Sequence, residues 1–198
     1  MQAFAYGLST GFSLIIAIGA QNVFVLKQGL KQQHIFWVCF ICALSDSLLI
    51  AAGVSGMAKV VSDFPQIVVV ARYVGVIFLF CYGVLHFIAA IQNKDKLALG
   101  SEQTQSLFRT MMICLAFTWL NPHVYLDTLF LIGSISIQFQ QKALFAIGVI
   151  LSSWMFFFSL GYGARFLLPW VQKAQTWCYL NLGIGVLMWG IAWRLLEH

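Results

Sequence analysis

The chain has 198 residues and a net charge of +5, and it is 61% hydrophobic with only 9% charged residues. Soluble domains carry about 25% charged residues, and at a mean hydropathy of +0.89 the chain has too few charges to cover its apolar surface in water. This composition excludes a soluble domain and leaves a single polytopic membrane domain, residues 1–198.

Six apolar segments, each near the ~20 residues that a bilayer requires, run approximately over 3–26, 34–58, 66–91, 108–135, 143–165 and 176–195. In the first, Gly7 and Gly11 form a small-xxx-small pattern that allows close helix packing, either within the chain or between two copies. A homodimer through this face is the expectation. The segment ends in Gly19-Ala20-Gln21-Asn22. Two adjacent amides are unremarkable at a membrane interface, but opposite a broken helix they complete a polar pocket. No charge precedes Lys27, and the apolar run is too long for the h-region of a cleaved signal. A short basic connection follows (Lys27, Lys31).

The second segment carries Asp46 between Ser45 and Ser47. A carboxylate there either is satisfied by nearby hydroxyls or an arginine and ties helices together, or serves as counter-charge for a cation or as a proton carrier. Cys39 and Cys42 form a Cys-x-x-Cys motif, read here as small packing residues. Gly53 and Gly56 leave room for a neighbour. Pro65 and Pro169 fall in connections. The stretch 92–107 is the only markedly polar one.

The fourth segment contains Phe117-Thr-Trp-Leu-Asn-Pro-His-Val-Tyr-Leu-Asp127. Pro122 has no N–H to offer the carbonyl of Thr118 and clashes with it, and Asn121 is pushed away from helical dihedrals. Asp127 costs roughly 2.5–3.5 kcal/mol at the centre of a spanning helix. A mere anchor needs neither feature; a broken helix ringed by polar groups is how transporters build a mid-membrane site. His123 and Asp127 are four apart and share a face if the helix resumes, as a hydrogen-bonded structural histidine or as a proton relay. Asn121 and Tyr125 form a second such pair, directed to a polar ligand or to the freed carbonyls.

The halves echo each other. Leu44-Ser45 and Gly56 recur as Leu151-Ser152 and Gly163, an offset of 107, and Tyr82-Gly83 recurs as Trp189-Gly190. Gly19–Asn22 falls roughly opposite Asn121–Val124. A tandem three-helix unit inserts upside down the second time, which is the inverted-repeat plan of many transporters. The expected division is repeat one at about 1–92, a polar loop at 92–107 and repeat two at about 108–198. With both termini outside, the inner connections hold Lys27, Lys31, Lys94, Lys96, Arg109, Arg165 and Lys173, against Lys59, Arg72, Lys142 and Arg194 outside. A re-entrant first segment is the alternative; it leaves five full spans and the N-terminus inside.

Gly19–Leu30 (GAQNVFVLKQGL), Ser45-Asp46 and Thr118–Thr128 (TWLNPHVYLDT) resemble the lysine/arginine exporter (LysE type) family, and its arginine outward branch most closely. The resemblance spans nearly the whole chain. It implies a bacterial inner-membrane, multi-pass exporter of basic amino acids energised by the membrane potential or a proton gradient. The family's two intramembrane aspartates match Asp46 and Asp127, and its Asn-Pro break matches Asn121-Pro122. One departure stands out. The family has proline where this chain has Ala20, so the first span is expected to be less kinked.

The expected fold is therefore an all-α integral membrane protein of six transmembrane helices, arranged as two inverted three-helix repeats and broken in the fourth at Asn121-Pro122. The expected function is efflux of L-arginine, with L-lysine second. The cationic side chain meets Asp46 or Asp127, while Asn121, Gln21, Asn22 and the half-helix after Pro122 serve the α-carboxylate. Pro122, His123 and Tyr125 complete the candidate set. The partners are an amino-acid substrate, the lipid bilayer and a second copy; no cofactor, no metal, no nucleic acid and no enzymatic activity are expected. The alternatives are an exporter of neutral amino acids or other small amines (a related branch exports these), a membrane thiol redox carrier, and a structural assembly subunit.

Overall fold

The computed structural model describes residues 2–16, 19–56, 65–92, 106–170 and 174–197. Most of the polar loop expected at 92–107 lies outside these. The described residues are helical, without strands: α1 (Gln2–Ile15), α2 (Ala20–Lys31), α3 (Ile35–Val54), α4 (Pro65–Gln92), α5 (Leu107–Trp119), α6 (Pro122–Tyr125), a π-helical stretch (Leu126–Leu131), α7 (Ile132–Ser136), α8 (Lys142–Gly163), a 3-10 stretch (Ala164–Trp170) and α9 (Ala174–Glu197). Four helices are long and apolar enough to cross a membrane, or five if α1 and α2 count as one bent span. Their outward faces carry large apolar side chains such as Ile77, Ile91, Phe166 and Val186, a surface suited to lipid and not to water.

The first segment is bent despite Ala20. The axes of α1 and α2 differ by 81°, which corrects the expectation of a straighter span. No proline is needed there. Gly19 is extended at the head of α2, and Asn22 Nδ2 donates to the carbonyl of Ile15, the last residue of α1, at 2.8 Å. An unmade helical bond is thus replaced by a side chain.

Both broken segments run alongside a long helix. A Cβ on Gly7 or Gly11 would collide with Phe145, or with Val149 and Ser152, and one on Gly29 with Gly161 and Ala164. From Phe145 to Gly161 is about 24 Å of helix, so α1 lies along the first part of α8, and α2, turned by 81°, touches α8 near its end. In the same manner, Cys114 of α5 lies against Val38 of α3, and Gly53 of α3 lies against Thr128 and Leu129. The two long helices cross antiparallel, with Ile35 near Gly161 and Ile50 packed with Val149. At the crossing Ser153 bonds Asp46 and Trp154 bonds Ser47, both pairs separated by 107 residues. Outside them α4 pairs with α9, where Trp189 donates to Phe80 O at 3.2 Å.

Three expectations need correction. Gly7 and Gly11 are buried against α8 of the same chain, so the face proposed for a homodimer is already occupied. Lipid offers no hydrophobic drive between helices, so close backbone approach is what these glycines supply. Gly56 does not pack: it turns the chain at φ +91° with nothing near its Cβ position, which is a helix-ending use of glycine. Lys27 is not a loop charge. It sits inside α2, 9% exposed, with Nζ donating to Asn181 Oδ1 at 2.8 Å and 3.5 Å from His86 Nδ1. His86 Nδ1 lies 2.9 Å from the same oxygen. A buried ammonium has to be hydrogen-bonded in this way, and here the bonds tie α2 to α4 and α9.

Candidate functional site

The two breaks meet. A cavity of about 300 Å³, at the lower end of small-molecule sites, is lined by Gly19–Asn22 from one break and Asn121, Val124, Asp127 and Thr128 from the other. Asp46 of α3 and Arg194 of α9 also reach it. Asp46 is 6% exposed, whereas Asp127 and Arg194 are exposed. The cavity therefore deepens from the end of the bundle where α9 terminates toward Asp46. Beyond it, Phe24, Phe78, Tyr82 and Phe117 form an aromatic plug, with Phe117 ring centroids 5.3, 4.9 and 5.0 Å from Phe24, Phe78 and Tyr82. The Lys27–His86–Asn181 cluster lies past the plug, Tyr82 touching His86.

Asp46 is held by a partner from another helix. Ser153 Oγ donates to Asp46 Oδ2 at 2.9 Å. The flanking serines do not serve the carboxylate. Trp119 Nε1 donates to Ser45 Oγ at 3.3 Å and Trp154 Nε1 to Ser47 Oγ at 3.0 Å. Two indoles thus fix this turn of α3 from both sides, and Asp46 itself lines the cavity. An ionised carboxylate has about four lone-pair sites, so a donor from the cavity side completes its shell.

At the second break Pro122 opens α6, where its missing N–H costs nothing. Tyr125 Oη donates to the carbonyl of Trp119, the last residue of α5, at 2.5 Å. Of the two roles open to Tyr125, the structure selects the freed carbonyl. The two breaks are closed alike: Asn22 reaches back to Ile15 as Tyr125 reaches back to Trp119. Both residues brace the cavity's rim. Tyr125→Phe removes one such bond, worth about 1 kcal/mol, and should lower the melting temperature of the purified protein by a few degrees, leaving an export defect smaller than that of either aspartate variant. No thermal shift would remove Tyr125 from this bracing role. The Pro122 and His123 side chains are outside the described parts, so the His123–Asp127 relay falls there too.

Gln21 is buried in the cavity wall beside the Cys42 thiol, and its Nε2 makes no hydrogen bond among the described residues. An orphaned buried donor is costly unless a ligand meets it. Of the predicted residues, Gln21, Asn22, Asp46, Asn121 and Asp127 line one cavity, with Tyr125 behind it. Two residues were missed. Ser153 was signalled by the offset of 107, which pairs it with Asp46. Arg194 was read as a topology charge and has no local signal.

The cysteines make packing contacts. Cys39 Sγ donates to Phe157 O at 3.2 Å, and Cys42 and Cys114 sulfurs lie 3.2 Å apart. All three are fully buried and free. Among the described residues, no His, Cys, Asp and Glu cluster suits a metal. A Cys39→Ala/Cys42→Ala/Cys114→Ala variant should keep export within about twofold while losing about 1 kcal/mol of stability per site. Complete loss of activity in protein that still folds would bring the thiol carrier back.

Residues 12–198 match the LysE type translocator family. The chain belongs to that family. LysE type membership makes it a translocator and not an enzyme, with membrane-spanning helices as its working parts. Its relatives include three bacterial proteins named arginine exporter protein ArgO. The one from Serratia proteamaculans (strain 568) is 38% identical over 197 residues, covering 98% of this chain and 96% of the relative. That of Pectobacterium carotovorum subsp. carotovorum (strain PC1) is 37% identical over 197 residues, 98% and 97% covered. That of Escherichia coli (strain K12) is 37% identical over 191 residues, 96% and 90% covered. No solved structure matches the chain.

Proposed function

We propose that this LysE type translocator exports basic amino acids, L-arginine first and L-lysine second, across a bacterial inner membrane. The observation that carries the reading is a cavity between two broken helices, with one carboxylate buried at its depth and another at its mouth. A guanidinium supplies what Asp46 lacks, and that pairing is strong where water is excluded. Gln21 Nε2 and the head of α2, whose cap residue Gly19 offers no side-chain acceptor, bring further donors and a dipole that favours an anion to the same cavity. Asn121 borders the same space.

The architecture proposed is a single 1–198 domain of six spans, in two inverted repeats at about 1–92 and 108–198. Its support is the course of each broken segment beside one long helix and the antiparallel crossing at Asp46–Ser153. Contact of α1 with the start of α8 and of α2 with its end is the support for a broken full span over a re-entrant loop. Any homodimer has to use a face other than that of Gly7 and Gly11.

The test is efflux of radiolabelled amino acids from vesicles with and without the protein. Arginine and lysine efflux above the empty-vesicle rate, with threonine unchanged, is the expected result. Efflux of threonine but not arginine would shift the reading to the neutral branch.

A further inference from the structure

Among the described residues, three ionisable side chains line the cavity: Asp46, Asp127 and Arg194. Arginine stays protonated at any physiological pH. A fixed cation in the wall of a site that admits cations raises the cost of every cargo unless the cargo also brings an anion. An α-amino acid does so and a polyamine does not. The placement fits such a cargo end to end. Asp46 is buried at the depth, while Arg194 and Asp127 are exposed at the mouth.

We propose that Arg194 anchors the substrate's α-carboxylate at the cavity mouth, so that the site accepts basic α-amino acids and rejects the same amines without a carboxylate. The proposal rests on the export reading. The cargo lies with its side-chain cation on Asp46 and its α-ammonium toward Asp127, and the planar guanidinium of Arg194 grips both carboxylate oxygens. With both aspartates ionised, these three groups sum to one negative charge, which a basic amino acid neutralises. Without Arg194 they sum to two, which agmatine, the decarboxylated arginine, neutralises instead.

The experiment compares efflux of L-arginine and of agmatine from proteoliposomes holding equal amounts of wild type, Arg194→Gln or Arg194→Lys. Wild type should move arginine at least tenfold faster than agmatine. Arg194→Gln should reverse that order, with arginine efflux down roughly tenfold or more and agmatine efflux held or raised. Arg194→Lys should restore part of the arginine preference, since a point charge replaces the fork. If Arg194→Gln loses both cargoes together, the residue is structural and the proposal falls. If it loses neither, the proposal falls and the export reading stands. If wild type itself moves no basic amino acid, the export reading falls and takes this one with it.

Discussion

Asp46→Asn is expected to abolish arginine efflux while leaving the protein folded. The change is nearly isosteric, and the amide oxygen still accepts the Ser153 hydroxyl now bound at 2.9 Å. Removing a charge from a side chain that is 6% exposed also relieves desolvation, so stability should hold or rise. What disappears is the opposite charge proposed to hold the cargo. Truncating one partner of a buried hydrogen-bonded charge pair costs about 2–5 kcal/mol, or roughly 30-fold and upward in affinity. Asp127→Asn should act in the same direction but more weakly, because Asp127 is exposed and water and salt screen it. Measured efflux in vesicles, beside melting curves of the detergent-purified variants, separates the two effects. Full export by both variants would remove carboxylates from the mechanism.

The second large effect belongs to the α1–α8 contact. Gly7→Leu should prevent α1 from seating on α8 and cut the yield of folded protein severalfold. A side chain at Gly7 meets the Phe145 backbone, and a backbone cannot rotate aside as a flexible side chain can. Overpacking costs about 1–3 kcal/mol, and separation of the helices would unseat the wall that Gly11, Leu14 and Ile15 give the cavity. Gly190→Ala is the control. Nothing lies within 4 Å of its Cβ position, and alanine favours helix by about 1 kcal/mol over glycine. A monodisperse, fully active Gly7→Leu protein in size-exclusion chromatography and efflux would mean that α1 docks elsewhere.

What could be read from the chain follows the range of the interactions. Among the described residues, four spans declare themselves by length, five with the bent α1–α2 pair, because bilayer thickness is a local constraint on sequence. The break at Asn121-Pro122 declares itself because proline lacks an N–H. The bend between α1 and α2 did not, because Ala20 stands where the resemblance led one to expect proline; the bend instead uses Gly19 and an Asn22 side chain whose acceptor is seven residues back. Lys27 and Arg194 look like any cation at the end of a span. Lys27 is buried only because His86 and Asn181, 59 and 154 residues away, come to it. The Gly7 and Gly11 spacing announced a close helix neighbour but did not say which one. Asp46 was recognisable as costly, while its partner Ser153 could be found only by trusting the repeat.

The aromatic plug has an electrical consequence. Phe24, Phe78, Tyr82 and Phe117 pack ring to ring beyond the inner end of the cavity that Asp46 lines. Voltage drops where ions and water are absent, so with water filling the cavity most of the transmembrane field would be concentrated across those few rings and not over the whole bilayer. A monovalent cargo therefore exchanges nearly all its electrical work, about 2.3 kcal/mol per 100 mV, in the short step past Tyr82. Parting the rings would then be the voltage-sensitive event, and occupancy of the site proposed at Asp46 would follow the concentration on the open side almost irrespective of membrane potential.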